Sequence, residues 1–157
     1  MGHEVAVLRS GRLAQTATPT TLYRAPVDLD VARFVGDAVI VPGTARAGVV
    51  ECVLGRLSTS SVTVAGEVEV MIRPEQIRLV RALDNALGSA DTVSADVIGH
   101  HYYGPDSLVQ LRLRDGDRAP ISARMLGLDV PDAGDVVGVV VSGPVAVYPL
   151  PNSGPAA

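Results

Sequence analysis

Apolar residues recur with a period of two at the start of the chain. Val5 and Val7 mark one extended segment, and Leu13 continues a second one beyond the turn signal Ser10-Gly11. A short turn between two such segments is typical of paired antiparallel strands. The pattern therefore predicts a β-hairpin over residues 4–16.

Helical signals follow the hairpin. Thr18-Pro19 combines a residue type favoured at the N-cap with one favoured at the first helical position, and Pro26 is expected to open a second helix. Gly36 is a plausible end for this second helix. Its apolar positions have helical spacing and would form one face: Val27, Val31, Phe34 and Val35.

Beyond Gly36 the pattern changes to short apolar runs separated by turn signals. Candidate strands are 38–42, 48–54, 61–64, 67–72, 77–81, 92–103, 107–114, 119–125, 136–141 and 144–149. The turn signals that separate them are Pro42-Gly43, Gly55, Ala65-Gly66, Gly104-Pro105, Asp115-Gly116 and Gly143-Pro144. Short strands at this spacing predict a small β-barrel or sandwich over 37–150. Residues 84–91 resemble a polar connection and 151–157 a disordered tail.

The amino-acid composition limits which side chains can fill the core. The 157 residues are 47% hydrophobic but only 3% aromatic, so the core must consist of Val, Leu, Ile and Ala. The net charge of −4 disfavours binding to nucleic acid. The longest apolar stretch, Val136–Leu150, is broken by glycine and proline and indicates two strands, not a membrane helix. One cysteine and no signal-peptide pattern fit a cytoplasmic protein.

The sequence holds no lysine; all thirteen of its cationic residues are arginine. A nucleotide-binding P-loop requires a lysine that neutralises the phosphates, so this chain cannot contain one. No glycine-rich dinucleotide fingerprint and no nucleophilic serine motif occur either. We therefore expect no enzymatic activity, no catalytic residue and no cofactor site in this chain.

Few residues qualify as metal ligands or nucleophiles. His100 and His101 are neighbours on a predicted strand and should point to opposite faces, which disfavours a shared metal. His3-Glu4 lacks the second histidine of a zinc motif, and Cys52 lies in a valine-rich strand, as a buried structural thiol would. We expect no metal site.

The remaining polar candidates have structural interpretations. We interpret the serines as loop or edge hydroxyls, the tyrosines as packing residues and the aspartates as turn residues. These residues are Ser58-Thr59-Ser60-Ser61, Ser107, Tyr102-Tyr103, the pair Asp115 and Asp117, and the pair Asp132 and Asp135.

An ordered set of motifs resembles the end of an ABC importer ATP-binding subunit. Gly11–Pro19 is similar to the family's "GRI-Q-GTP" turn, although Ala17 replaces its glycine. Thr20-Thr21 also replace an acidic pair. Further matches follow in the family's order: Leu22-Tyr23 with Pro26, Val41-Pro42-Gly43, Ile72-Arg73-Pro74-Glu75-Gln76-Ile77-Arg78-Leu79, and Tyr103-Gly104 with Val109-Gln110-Leu111.

The resemblance implies that residues 4–36 are the tail of the ATPase domain and that 37–150 form a TOBE-type regulatory domain. Such a domain is an OB-like β-barrel. The resemblance further implies ferric-iron or polyamine-like import, homodimerisation, permease partners, and a position at the inner face of the membrane. ATP and magnesium would bind only in the parent subunit. The alternative is a module that binds a small oxyanion or effector, with backbone amides near Gly104 or Gly143 as anion sites.

Overall fold

The computed structural model describes residues 3–81, 92–116, 120–127 and 129–150. Within it the chain divides into a hairpin unit, Met1–Ala38, and a β unit, Val39–Ala157. The polar connection predicted at 84–91 and the tail predicted at 151–157 lie outside the described residues.

The hairpin unit begins with strands β1 (Val5–Arg9) and β2 (Arg12–Ala17), which pair antiparallel. Ser10 and Gly11 between them have φ angles of 49° and 75°. Two successive residues in the left-handed region match the twist of the flanking strands and close a tight hairpin. The predicted hairpin is confirmed.

Helix α1 spans Pro19–Arg24 and begins as predicted. The Thr18 side chain accepts a hydrogen bond from a backbone N–H of the first turn, which satisfies one of the helix's free donors. Leu22 of this helix packs with Val7 of β1 and Val31, and these three buried side chains form the core of the hairpin unit.

Helix α2 spans Leu29–Val35, so the prediction that Pro26 opens it is wrong. Asp28 is the N-cap, and its carboxylate accepts a hydrogen bond from the helix backbone at 2.8 Å. The predicted apolar face is also wrong at two positions, because Val27 precedes the helix and Phe34 is 77% exposed.

The β unit contains two five-stranded sheets. The strands of the first sheet are β3 (Val39–Arg46), β4 (Val49–Cys52), β5 (Gly55–Ser58), β6 (Gly66–Ile72) and β12 (Ala146–Pro149), in the order β12-β6-β3-β4-β5. Thr59, just after one edge strand, forms a parallel bridge with Val145, just before the other. The two edges therefore meet, and the first sheet is rolled into a small barrel.

The sequence pattern predicted strands in the second half of the β unit but not that they form a second sheet of their own. Its strands are β7 (Ile77–Arg81), β8 (Val93–Tyr102), β9 (Asp106–Leu113), β10 (Pro120–Leu126) and β11 (Val136–Val141), in the order β10-β9-β8-β11-β7. Its two edge strands, β10 and β7, contact each other, so this sheet is also strongly curled, and we call the two curled sheets the two barrels. The register of β8 on β9 shifts between Val97 and Gly99, as at a β-bulge.

Several predictions for the first sheet are wrong in type or in bounds. Pro42-Gly43 is not a turn, because β3 continues through it; β4 pairs only from Gly43 onward, so the missing N–H of Pro42 need not break that ladder. The predicted strand 48–54 is shorter, because β4 ends at Cys52; β5 at Gly55–Ser58 was not predicted, and residues 61–64 are not a strand.

The two sheets share one aliphatic core. Its fully buried members come from both sheets and include Val68, Val70, Leu111 and Val137. Within the first sheet Gly43 is closely surrounded by its two neighbouring strands: a Cβ built on it would lie 2.8 Å from a methyl of Val70 and 2.9 Å from a backbone oxygen of β4. Side chains from the two neighbouring strands therefore occupy the place of a Gly43 side chain.

We expect Gly43→Ala to lower the free energy of unfolding by about 2–4 kcal/mol, because backbone and methyl groups must move to admit the new carbon. Gly99→Ala is the matched control, since nothing lies within 4 Å of its Cβ position. That control should change stability by less than about 1 kcal/mol. Urea unfolding curves measure both, and equal losses would contradict this account.

Candidate functional site

The chain passes between the two sheets at two corners. The first, Arg73–Gln76, joins β6 to β7, and the second, Ser142–Val145, joins β11 to β12. The first corner contains a 3-10 turn over Pro74–Gln76. Hydrogen bonds connect the two corners directly, so both crossings lie side by side.

Gln76 makes most of these connections. Its Nε2 donates to the carbonyl oxygens of Ser142 at 3.2 Å and of Pro144 at 3.0 Å. Its Oε1 accepts from the backbone N–H of Arg73 at 3.0 Å, and its own carbonyl accepts from the Ser142 N–H at 2.8 Å. We call these four hydrogen bonds the Gln76 clasp. They use both ends of the side-chain amide.

Local sequence explains why the corners have this shape. Pro74 fixes the backbone at the start of the turn, and Arg73 ahead of it is 3% exposed. Gly143 has a φ of 77°, which a residue with a side chain adopts only with strain. A strand that ends at Pro74 indicates a structural corner, and the sequence alone suggests that Arg73 and Glu75 support it by ion pairing or capping. Glu75 is exposed, and Gln76 was missed.

One signal could have identified Gln76. It stands three residues after Arg73, the spacing at which a glutamine side chain reaches back to cap the start of a helical turn. Its other partners lie 66 and 68 residues away along the chain, beyond the reach of a local pattern.

The two adjacent histidines lie on opposite faces of β8. His100 pairs with buried Val109 and His101 with Leu108 on the neighbouring strand. His101 is exposed, whereas the Nδ1 of His100 is buried and has no hydrogen-bond partner. The Oγ of Ser107, one pair along the same face, is also buried and unpartnered. The structure does not bring the two imidazoles together around one metal position.

The other residues that the sequence offered as candidate site residues lie apart from the two histidines. Asp132 and Asp135 form a turn, in which the Asp135 N–H donates to the Asp132 carbonyl at 3.0 Å. Cys52 is half-buried beside the core, and burial raises the pKa of its thiol, which keeps it protonated and weakly nucleophilic. The remaining candidates are His3 and Glu4, both exposed, Ser58 to Ser61 at and after the end of β5, Asp115 in the turn after β9, and Asp117 outside the described residues.

No cluster of three or more His, Cys, Asp or Glu side chains suited to a metal occurs within 3–81, 92–116, 120–127 and 129–150. Over the same residues, none of the helices has the length and apolar character required to span a bilayer. The most extensive connection between the two sheets in this part of the chain is the pair of corners that Gln76 joins.

Residues 70–147 match the model of the TOBE domain family, and this range contains both corners of the Gln76 clasp. The chain carries a TOBE domain. The solved structure of the cytoplasmic molybdate-binding protein ModG superposes with a TM-score of 0.51 at 14% identity, over 69% of this chain and 94% of ModG. The predicted mainly β, OB-like fold of the TOBE domain is thereby confirmed.

Curated relatives extend the match beyond the TOBE domain. The Fe(3+) ions import ATP-binding protein FbpC 2 of Rhodococcus jostii is 38% identical over 93% of this chain. FbpC proteins of Pseudomonas fluorescens and Mesorhizobium japonicum are 33% and 30% identical over 94% and 92% of it. The chain spans only 41–43% of the length of these relatives and matches their C-terminal part.

We expect Gln76→Glu to lower the free energy of unfolding by about 2–4 kcal/mol at neutral pH. The substitution replaces a donor that faces two carbonyl oxygens with a negatively charged acceptor. Thermal and urea unfolding measure the loss. Glu75→Gln, the opposite exchange at the exposed neighbouring position, is the control and should stay within about 0.5 kcal/mol of the parent. A Gln76→Glu protein as stable as this control would refute the clasp's role.

Proposed function

We propose that this chain is the C-terminal regulatory part of the ATP-binding subunit of an ABC importer for ferric iron. The observation that carries the proposal is the match of over nine-tenths of the chain to the C-terminal part of ferric-iron import ATP-binding proteins. The TOBE domain lies inside that match. In this proposal the chain acts at the inner face of the membrane, with permease subunits as partners of its parent protein.

The exposed apolar surface of the hairpin unit supports its assignment to the tail of the ATPase domain. β1 and β2 form a sheet of only two strands, which is marginally stable without further packing. Leu8 and Leu13 lie opposite each other in this ladder and are 67% and 62% exposed. A two-stranded sheet with an uncovered apolar surface is suited to pack on a larger domain. We propose that the ATPase domain covers it.

The proposal assigns ATP and magnesium binding to the parent subunit and not to this chain, because a chain without lysine lacks the P-loop's phosphate ligand. We expect the purified chain to release no phosphate above the buffer rate when supplied with ATP and magnesium. A colorimetric phosphate assay checks this, with the same preparation denatured in urea as the blank. Saturable release by the folded chain would contradict the assignment.

We further propose that the TOBE domain forms a homodimer. Valine-rich strands suggest an association surface, but β11 contributes Val137 and Val139 to the core. Exposed apolar side chains gather instead at the β8–β9 turn and the end of β10, where Tyr102, Tyr103 and Leu126 are 54%, 60% and 85% exposed. The Gly127 N–H donates to the carbonyl of Pro105 and holds these segments together. Tyrosine is enriched at protein interfaces.

We expect the chain to sediment as a dimer at tens of micromolar and the variant Tyr103→Ser/Leu126→Ser to sediment as a monomer. Removing two exposed side chains should cost little stability while weakening association at least about tenfold. Val62→Ser, which removes a 71% exposed valine elsewhere in the β unit, is the control and should remain dimeric. A parent chain that is monomeric at such concentrations, or a dimer that survives the double substitution, rules out this surface.

A further inference from the structure

The proposed dimer surface is formed by two segments of the second sheet that are separate along the chain. Tyr102 and Tyr103 lie at the β8–β9 turn, and Leu126 is the last residue of β10. The end of a strand at the edge of a sheet opens readily. Use of these three side chains as one surface therefore requires a contact that holds the end of β10 beside the turn.

Asp106, the first residue of β9, lies between the two segments. Its carbonyl oxygen accepts a hydrogen bond from the Tyr103 N–H at 2.8 Å on one side. On the other side it is the register partner of Leu126. Tyr103, Asp106 and Leu126 therefore stand in one row across the ends of three strands.

The Asp106 carboxylate adds a side-chain contact to this row. Its Oδ2 accepts a hydrogen bond from Nη1 of Arg124 at 2.6 Å, which joins β9 to β10 by an ion pair. Arg124 stands two residues before Leu126 in β10, so their side chains lie on the same face of the strand. The ion pair thus connects the last residues of β10 to the start of β9, directly after the turn.

Burial makes this ion pair stronger than most surface pairs. The side chains of Asp106 and Arg124 are 16% and 35% exposed, whereas those of Asp96 and Arg114, a pair between β8 and the end of β9, are 45% and 50% exposed. Water and salt screen an exposed pair so that it contributes little, and they screen a half-buried pair less. The low exposure of Asp106 also indicates that its carboxylate serves Arg124 and not a partner chain.

Local sequence restrains the turn on the other side of this joint. Gly104 has a φ of 86°, which favours glycine, and the ring of Pro105 fixes its own φ. The Pro105 carbonyl accepts a hydrogen bond from the Gly127 N–H at 3.0 Å, so a backbone bond also joins the turn to the residue after β10. Within β10 the ion pair of Arg124 with Asp106 supplies the corresponding restraint.

We infer that Asp106 and Arg124 are positioning residues of the dimer surface: their ion pair fixes Leu126 beside Tyr103 before a second copy of the chain binds. This inference rests on the homodimer proposed above. A surface that is ordered in advance loses less conformational entropy on association than the same side chains on a frayed strand. Breaking the pair should therefore weaken association although every exposed side chain of the surface is still present.

The test compares charge-matched substitutions by sedimentation equilibrium of the full chain. Asp106→Ala should raise the dissociation constant of the dimer at least about tenfold. Asp96→Ala, which breaks the exposed pair with Arg114, is the control and should change it less than about threefold. Arg124→Met keeps an aliphatic stem, removes the charge and should weaken association as Asp106→Ala does. Far-UV circular dichroism shows that each variant folds.

Two further readouts separate positioning from direct contact with a partner. Hydrogen exchange of a chain diluted below its dissociation constant observes the monomer alone. There Asp106→Ala should speed exchange of the Tyr103 and Gly127 amides at least about tenfold, and Asp96→Ala should not. If the two residues act as a pair, Asp106→Ala in an Arg124→Met background should weaken association by less than about threefold more.

The outcomes distinguish this inference from the homodimer itself. A monomeric parent chain would overturn both. A dimeric parent whose affinity is the same in Asp106→Ala would overturn the positioning role alone. Weaker association without faster exchange in the monomer would also overturn it, because the carboxylate would then act by direct contact. Additive losses in the double variant would show that the two residues do not act as a pair and would overturn it as well.

Discussion

One glutamine side chain, Gln76, joins the two places where the chain crosses from one barrel to the other. Both barrels contribute to a single aliphatic core, so their packing requires that the two crossings keep a fixed spacing. Gln76 sets that spacing through hydrogen bonds to Ser142 and Pro144 on one side and to Arg73 on the other. These bonds are directional, whereas burial of aliphatic side chains is not. The clasp therefore specifies an arrangement that core packing alone would leave loosely determined.

The nearly complete absence of aromatic residues imposes a second constraint. Valine and isoleucine are β-branched and fit a pleated sheet, but each fills less volume than an aromatic ring. Such small side chains let neighbouring strands of one sheet pack closely, as at Gly43, where methyl groups of Val50 and Val70 occupy the space that a Cβ would need. The few aromatic side chains are then free for other uses, and Tyr102 and Tyr103 stand more than half exposed at one end of the second sheet.

Local patterns were sufficient where a single element determines its own shape. The strand over residues 77–81 and the Thr18 cap have the bounds that alternation and capping indicated. One prediction failed because distant contacts decide the outcome: neighbouring strands keep Pro42-Gly43 extended. Another failed locally, because the Asp28 carboxylate, not Pro26, begins α2. The contacts of Gln76 with Ser142 and Pro144 could not be predicted, since these partners are far away in sequence.

The joined corners determine how a bound ligand can change the arrangement of this TOBE domain. A ligand shifts an equilibrium only by as much as it prefers one state over another. A ligand that contacts one barrel alone has no such preference for the relation between the two barrels. The two corners differ, because the Gln76 clasp joins the crossings by which the chain enters and leaves the second sheet. A contact there acts on both barrels at once, so the corner region, not either barrel by itself, is the part of this TOBE domain able to convert binding into a change of arrangement.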